Sequence, residues 1–252
     1  MAADAVAWYS AIRPEGAIRA AGICGQSDTD SDRQQQLYRD RIQGDGRYCG
    51  GTVKNNPGRF IVLEGLDGVG KSTLAKDLAA HLDAQFMSTP GAAFSGIRNQ
   101  VLDAFGNDQL AKALFYTATV SSEGIKARAT VEQGRSVVMD RYWASTVTYA
   151  KARGVTANLD ALANGLAMPD ICVLITLDEA TRLARLRERG MTPEDRETIS
   201  ASFCQAVMKG LKGHSTIVVD ISGADRAQAV TRAAAAIEAY FDQASPKMED
   251  PA

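Results

Sequence analysis

The sequence has few cysteines, and none is spaced to hold a metal. The four cysteines lie at positions 24, 49, 172 and 204, and no two form a C-x-x-C motif. Zinc sites and disulfide frameworks depend on regularly spaced cysteines, so neither is expected. We interpret these cysteines as buried or incidental thiols in a reducing compartment, which predicts a cytoplasmic location.

Long apolar runs and an excess of basic charge are missing as well. The apolar runs at 171–177 and 216–221 end within a few residues at charged or polar positions, whereas a membrane-spanning helix needs roughly 20 apolar residues. The formal net charge is −2, while nucleic-acid-binding proteins usually carry a basic patch or a high pI. Neither a membrane nor a nucleic acid is therefore expected as a partner.

The sequence is long enough to form one sizeable hydrophobic core. Its 252 residues are 45% hydrophobic and 23% charged, which is ordinary for a globular domain. Residues 1–58 are Ala-rich and then polar and Gly-rich, which predicts a mostly flexible N-terminal extension. The catalytic domain is predicted over residues 59–242, followed by a C-terminal tail at 243–252.

From residue 59 onward, short apolar runs alternate with helical patterns. RFIVLE at 59–64 predicts a buried strand, and leucines four apart predict a helix from Ser72 to Asp83. Further strands are predicted around AQFMS, SVVMD, ICVLITL and STIVVDI, with helices near 94–105 and 108–133, after 143, 179 and 192, and at 225–241. Strands separated by helices require crossover connections, so the prediction is an α/β fold: a doubly wound, mostly parallel sheet with helices on both faces.

A glycine-rich loop between the first strand and the first helix carries the clearest functional motif. GLDGVGKS at 65–72 fits the phosphate-binding pattern G-x-x-x-x-G-K-[ST]. In such a loop glycines let the backbone approach phosphates, and the amides at the helix start point at anionic oxygens. Lys71 would reach the β- and γ-phosphates, and Ser72 would offer a hydroxyl to Mg²⁺. The alternative is a glycine-rich turn without a ligand.

A second motif, DRYWASTVTYA, begins where another predicted strand ends. This edge of a parallel sheet is where ligands bind. Asp140 can hold Mg²⁺ through water or accept a hydrogen bond from an attacking group, and the planar fork of Arg141 matches a phosphate. The alternative is an ordinary helix cap at Asp140 with Arg141 as its surface partner.

The third motif is an arginine-rich segment, TRLARLRERGMTPEDRE. The phosphate-binding loop has no arginine at 66–69, so another cation must neutralise the charge that develops on a transferred phosphoryl group. The segment therefore predicts an Arg-rich lid in which Arg185 or Arg189 acts catalytically. Arg182 shares their helix face, but we expect it to form only a mild, exposed ion pair with a nearby acid such as Glu179. A solvated charged face is the alternative for the whole segment.

These motifs together resemble the thymidylate kinase family of P-loop nucleoside monophosphate kinases. The resemblance covers roughly residues 59–242 and rests on FIVLEGLDGVGKST, TPG followed by GIR, ALFY, DRYWASTVTYA, MPDICVLIT and the arginine-rich segment. DRYWASTVTYA and LARLRERGMTPEDRE look most like the mitochondrial-type UMP-CMP kinases, which makes a mitochondrial location the alternative. The resemblance implies a P-loop kinase that uses ATP and Mg²⁺, binds small-molecule nucleotides, and leaves a homodimer open.

The resemblance also implies roles for individual residues. The ATP site would comprise Gly65, Leu66, Asp67, Gly68, Val69, Gly70, Lys71, Ser72 and Thr73. The catalytic residues would be Lys71, Asp140, Arg185 and Arg189, with Ser72 and Asp140 at the magnesium ion.

The acceptor nucleotide would bind on the other side of the loop. Asp67 would lie near its sugar and phosphate, Arg98 and Arg141 would grip its 5′-phosphate, Phe115 would stack on the base, Tyr149 would lie under the sugar, and Ser145 keeps the motif's serine. Ordinary helix core is the alternative for Phe115 and Tyr149, and a surface charge is the alternative for Arg98.

The sequence departs from the family pattern at two places that bear on the acceptor base. Thr119 stands four residues after Phe115, where thymidylate kinases usually carry an arginine, and their REPGG loop is reduced to TPGAAFSG. We therefore expect a kinase for a pyrimidine nucleoside monophosphate (dUMP, dCMP, UMP, CMP or dTMP), with a strict dTMP kinase as the alternative. A regulatory P-loop NTPase is the alternative of another class, although the sequence contains no N-K-x-D motif to read guanine.

Overall fold

The computed structural model describes residues 58–244. Nearly all of the expected N-terminal extension at 1–58 and most of the expected tail at 243–252 lie outside the described residues. Between residues 58 and 244, no helix combines the length and apolar character needed to cross a membrane.

Five parallel strands form the centre of the described fold. They are β1 (Phe60–Glu64), β2 (Gln85–Ser88), β3 (Val137–Asp140), β4 (Ile171–Thr176) and β5 (Ile217–Asp220). Their order across the sheet is β2-β3-β1-β4-β5, and every neighbouring pair is parallel. The predicted parallel sheet is confirmed, and all five strands coincide with the apolar runs seen in the sequence.

Ten helices connect and cover the strands within residues 58–244. They are α1 (Lys71–His81), α2 (Ala92–Ser95), α3 (Arg98–Ala104), α4 (Gln109–Glu132), α5 (Trp143–Ala152), α6 (Asp160–Ala163), α7 (Glu179–Glu188), α8 (Pro193–Glu197), α9 (Ala201–His214) and α10 (Arg226–Ala244). The helix expected at 94–105 is divided into α2 and α3, and the single turn of α6 was not predicted because four residues carry too little periodicity.

The inner strands β1 and β3 are almost entirely apolar because both faces of the sheet are covered there. All five residues of β1 are buried, as are all four of β3. α1 packs against α10, while α5 packs against α4 and α9. A strand that contacts helices on both sides has no solvated face, so its sequence shows a continuous apolar run instead of alternation.

The strand order places two of the sequence motifs next to each other in space. β1 lies between β3 and β4, so the direction of chain progression reverses at β1. The loop after β1 and the motif after β3 therefore meet at the carboxyl edge of the sheet, where Leu63 is paired with Asp140. In open parallel sheets such a reversal opens a crevice that binds ligands.

Candidate active site

The loop after β1 has the backbone geometry of an anion cradle. Gly68 and Gly70 have φ angles of 90° and 95°, which lie in the left-handed region that favours glycine. Gly70 also precedes α1, and no side chain caps that helix start. The first amide groups of α1 therefore lack a side-chain acceptor, and an anionic ligand can take that place.

Lys71 lies inside this loop with its amine directed at the loop's own backbone. Its side chain is buried, and Nζ donates a hydrogen bond to the carbonyl oxygen of Leu66 at 2.6 Å. Burial, together with the neighbouring Arg141 cation, lowers the pKa of Lys71 from 10.5 to about 8. The amine is therefore still charged at neutral pH and is available to a phosphate oxygen.

A cavity of 360 Å³ opens above the loop. Its walls combine the phosphate-binding loop, the motif after β3 and the arginine-rich helix α7: Asp67, Gly68, Gly70, Lys71, Ser72, Thr73, Arg141, Arg185, Glu188 and Arg189. Three of the four predicted catalytic residues, Lys71, Arg185 and Arg189, line this one space. The fourth, Asp140, reaches it through Ser72.

Ser72 and Asp140 bring together a hydroxyl and a carboxylate, the two groups here that could hold a magnesium ion. The Ser72 hydroxyl donates to Oδ2 of Asp140 at 2.5 Å, while the buried Oδ1 of Asp140 has no hydrogen-bond partner. Mg²⁺ prefers oxygen ligands and is commonly held by one or two protein groups together with substrate phosphates. In residues 58–244 no cluster of three or more His, Cys, Asp or Glu residues is placed to bind a metal, so this hydroxyl–carboxylate pair is the arrangement that fits the ion.

Arg141 is held in a fixed position by the residues expected at the acceptor site. Its Nη2 donates to Oδ1 of Asp67 at 2.5 Å and its Nη1 donates to the Ser145 hydroxyl at 2.8 Å. The Arg141 guanidinium lies 5.5 Å from the ring centroid of Tyr149, and the Tyr149 hydroxyl donates to Oδ2 of Asp67 at 3.3 Å. Asp67, Arg141, Ser145 and Tyr149 thus form one polar network beside the cavity.

The charges in this network support one another. Burial acts to raise the pKa of Asp67, but the Arg141 and Lys71 cations outweigh it and hold that pKa below its usual range. Burial acts to lower the pKa of Arg141, but the Asp67 carboxylate outweighs it. Asp67 is therefore an ionised acceptor that orients a permanently charged guanidinium.

Glu64 is a buried acid next to the site that the motif analysis did not single out. Its side chain at the end of β1 is completely buried, and burial raises its pKa. Its carboxylate accepts hydrogen bonds from the backbone N–H groups of Tyr142 and Ser145, at 2.9 and 3.1 Å, and from the Ser145 hydroxyl. Glu64 therefore supports the turn in which Arg141 adopts a φ of 65°, a conformation uncommon for a residue other than glycine. A lone acid in an apolar strand was the sequence feature that pointed to it.

Arg98 and Phe115 lie apart from this network. Arg98 begins α3 and donates to the Tyr116 hydroxyl at 2.8 Å, and its guanidinium lies 3.7 Å from the Glu194 carboxylate. Phe115 packs edge-to-face with Phe94 and Tyr116. Among the described residues, the partners of Arg98 do not include Arg141 or Asp67. The roles expected for Arg98 and Phe115 at the acceptor stay predictions.

The arginines of α7 differ in how they are held. Arg185 donates to the carbonyl oxygen of Val69 in the phosphate-binding loop at 3.0 Å, whereas Arg189 is half exposed and donates to Oδ1 of Asp195 at 2.7 Å. The expected pairing of Arg182 with Glu179 is confirmed. The expectation that this pair is exposed is wrong on the arginine side, because the Arg182 side chain is only 1% exposed.

The fold and the site together define a class of protein. The sheet is all-parallel, and the P-loop lies where the strand order reverses. Arginines from two further elements line the cavity above that loop. These are the parts of a P-loop nucleotide kinase. The comparisons with known proteins agree. The family model described as thymidylate kinase matches residues 63–231.

Curated relatives and solved structures point to the same family. The thymidylate kinase of Cereibacter sphaeroides is 32% identical over 214 residues, covering 74% of this chain and 97% of its own. That of Xanthomonas oryzae pv. oryzae is 33% identical over 197 residues, covering 74% and 86%. The thymidylate kinase structures from Candida albicans (TM-score 0.59, 22% identity, 74% of this chain and 93% of that chain) and Ehrlichia chaffeensis (0.54, 24%, 72% and 100%) share the fold.

The chain belongs to the thymidylate kinase family, and it is an ATP-dependent phosphotransferase. The resemblance stated from the sequence is therefore confirmed at the level of the family. The finer resemblance to UMP-CMP kinases is not supported by these comparisons, since the relatives described above are thymidylate kinases.

Proposed function

We propose that this protein transfers the γ-phosphoryl group of ATP to dTMP, giving ADP and dTDP. The observation that carries the proposal is the Asp67–Arg141–Tyr149 network, which presents an oriented guanidinium at the wall of the phosphate cavity. A guanidinium at that place suits the 5′-phosphate of an acceptor nucleotide. The choice of dTMP follows the relatives at 32–33% identity, which are named thymidylate kinases.

The chemistry asked of the protein is positioning and charge stabilisation. The loop amides and Lys71 would hold the β- and γ-phosphates of ATP, while Arg141 would hold the acceptor phosphate for in-line attack. Arg185, already bonded to the loop carbonyl of Val69, would turn one of its remaining donors toward the transferring group. Mg²⁺, when bound at Ser72 and Asp140, would neutralise charge on the phosphate oxygens.

A second candidate is phosphoryl transfer to another pyrimidine monophosphate, and one observation favours it. Thr119 lies one helical turn after Phe115 on the same face of α4, is buried, and donates its hydroxyl to the carbonyl oxygen of Tyr116 at 2.8 Å. That position therefore offers no cation to the base. Losing one polar contact weakens discrimination by about 1–3 kcal/mol, so dUMP, dCMP, UMP and CMP belong in the test.

The test is a coupled ADP-release assay across dTMP, dUMP, dCMP, UMP and CMP, with Lys71→Ala as the inactive control. We expect the highest kcat/KM for dTMP and no ADP release by the control. A higher kcat/KM for one of the other monophosphates would replace dTMP by the second candidate. ATP hydrolysis that proceeds equally well without any acceptor would point to a regulatory NTPase and would refute the kinase proposal.

We also retain a homodimer and a cytoplasmic location as proposals carried over from the sequence. Sedimentation velocity of the full chain decides the first and cell fractionation the second.

A further inference from the structure

Arg182 in α7 is unusual because its guanidinium is buried and every one of its N–H groups donates a hydrogen bond. Nε and Nη2 donate to the two carboxylate oxygens of Glu179, both at 2.7 Å. Nη1 donates to the Asp67 carbonyl oxygen at 3.0 Å and to the Thr198 hydroxyl at 3.1 Å, and Nη2 donates to the Thr198 carbonyl oxygen at 3.0 Å. A guanidinium has five N–H donors, and these contacts occupy all five.

The partners of Arg182 belong to two different parts of the active site. Asp67 is in the phosphate-binding loop, and its side chain holds Arg141. Thr198 directly follows α8, and its hydroxyl donates to the carbonyl oxygen of Asp195, whose carboxylate pairs with Arg189. One buried side chain therefore connects the phosphate-binding loop to the α8 segment, whose Asp195 carboxylate holds Arg189.

The contact between α7 and the loop is close enough for this connection to be rigid. A Cβ added at Gly68 would lie 2.8 Å from Cγ of Leu186 and 3.1 Å from Cγ of Arg182, which are both on α7. Leu186 is completely buried. Arg185 is bonded to the carbonyl oxygen of Val69. The loop backbone at Gly68 therefore lies directly against α7.

Burying a cation is costly unless it is well paired, and an apolar side chain in its place is often at least as stabilising. Packing alone therefore does not account for an arginine at this position. Arg182 is also absent from the lining of the phosphate cavity, so direct binding of a phosphate does not account for it. What remains is the geometry that its bonds impose on the residues that do line the cavity.

We infer that Arg182 is a positioning residue for phosphoryl transfer. It holds the phosphate-binding loop and the α7–α8 segment in one fixed arrangement, so that Arg141, Arg185 and Arg189 face the same phosphates. The base of the arginine-rich segment is therefore held in place against the phosphate-binding loop. This inference rests on the proposed kinase function.

The expected effect is on kcat and not on substrate affinity. Lys71 and the loop amides, which would bind the phosphates, remain when Arg182 is replaced. A displacement of about 1 Å between reacting groups can cost about 10²-fold in rate. We expect Arg182→Lys and Arg182→Met to lower kcat by about 10- to 100-fold while the KM values for ATP and the acceptor stay within about threefold. Guanidinium ion added to Arg182→Ala is expected to restore part of the lost kcat.

Matched variants separate positioning from general stability. Glu179→Gln keeps the bonds to Asp67 and Thr198, and Arg187→Ala changes an exposed arginine of the same helix, so both are expected to keep kcat within about threefold. Leu211→Ala removes a completely buried side chain of α9 and destabilises the fold away from the site, and we expect its Tm to fall with kcat unchanged below that Tm. Thr198→Val removes the hydroxyl that accepts a hydrogen bond from Arg182. It is expected to lower kcat, as Arg182→Lys does.

The outcomes are distinguishable. Wild-type transfer to a nucleoside monophosphate is measured first and decides the proposed function by itself. If the wild type is active and the Arg182 variants lose Tm but keep kcat, or raise KM with kcat unchanged, the inference is overturned. If Arg182→Met does not fold, Arg182→Lys and Thr198→Val decide, and wild-type kcat in both overturns the inference equally.

Discussion

Replacing Lys71 by methionine should abolish turnover and, at the same time, stabilise the nucleotide-free protein. Lys71 is almost completely buried at the start of α1, beside the Arg141 cation. A fall in pKa from 10.5 to about 8 corresponds to about 3 kcal/mol of unfavourable free energy for the charged amine. Methionine loses the hydrogen bond to Leu66, worth about 1 kcal/mol. The net gain in the free energy of unfolding at pH 7 is therefore about 2 kcal/mol.

The gain should depend on pH in a direction that the pKa fixes. The folded-state pKa of Lys71, about 8, lies below its unfolded value of 10.5. Between these values the unfolded chain binds more protons, so this residue makes the wild-type protein more stable as pH rises. Its unfavourable contribution is complete below pH 8 and has vanished above pH 10.5. The advantage of Lys71→Met should therefore be largest at pH 7 and should reverse to a loss of up to about 1 kcal/mol near pH 10.5, where only the missing hydrogen bond remains.

Urea denaturation of both proteins without nucleotide, in steps from pH 7 to pH 10.5, measures this difference. Lys76→Met is the matched control, because Lys76 is an exposed lysine of the same helix and should change stability by less than about 0.5 kcal/mol at any pH. Added Mg·ATP should raise the Tm of wild type and not that of Lys71→Met. The reasoning is refuted if Lys71→Met is no more stable than wild type at pH 7, or if the gap is the same at both ends of the range.

Two further predictions concern the cavity. Asp140→Asn should lower kcat by more than about tenfold and raise the Mg²⁺ concentration needed for half-maximal rate. The reason is that an amide cannot offer the anionic oxygen that the unpartnered Oδ1 of Asp140 supplies. A magnesium titration of ADP release measures both effects, and an unchanged titration contradicts the magnesium site. Gly68→Ala should weaken ATP binding and lower Tm, because the residue has a φ of 90° and its new Cβ would lie 2.8 Å from Leu186. Calorimetric titration measures the affinity for ATP. Wild-type affinity would show that the loop does not need this close approach.

Much of the fold and part of the site could be predicted from the sequence because they are contiguous in the chain. The apolar runs of β1 and β3 predict strands that are covered on both faces. The eight consecutive residues GLDGVGKS are enough to predict a phosphate-binding loop. The position of Asp140 at the end of a strand follows in the same way. Local periodicity and turn chemistry depend on neighbouring residues, so these features can be read without knowing what they pack against.

Other features depend on which distant segments meet. The spacing of Arg182, Arg185 and Arg189 places them on one face of α7, but it does not say that Leu186 docks on Gly68 and that Arg182 is thereby buried. Glu64 ends the β1 run, and only the fold brings Ser145, 81 residues later in the chain, to its carboxylate. The phosphate-binding role expected for Arg98 stays a prediction, because its described partners Tyr116, Asn99 and Glu194 neither support nor contradict it.

The sequence by itself determined the parallel α/β class, the phosphate-binding loop and the family. Only the tertiary structure decided that Arg185 donates to the phosphate-binding loop and lines its cavity, whereas Arg182 is buried between that loop and Thr198. The physical reason is that a helical spacing fixes only which side chains share a face. The burial of that face depends on the packing of α7 against a loop more than 100 residues earlier in the chain. Docking is settled by the packing of the whole core, and no local pattern contains it.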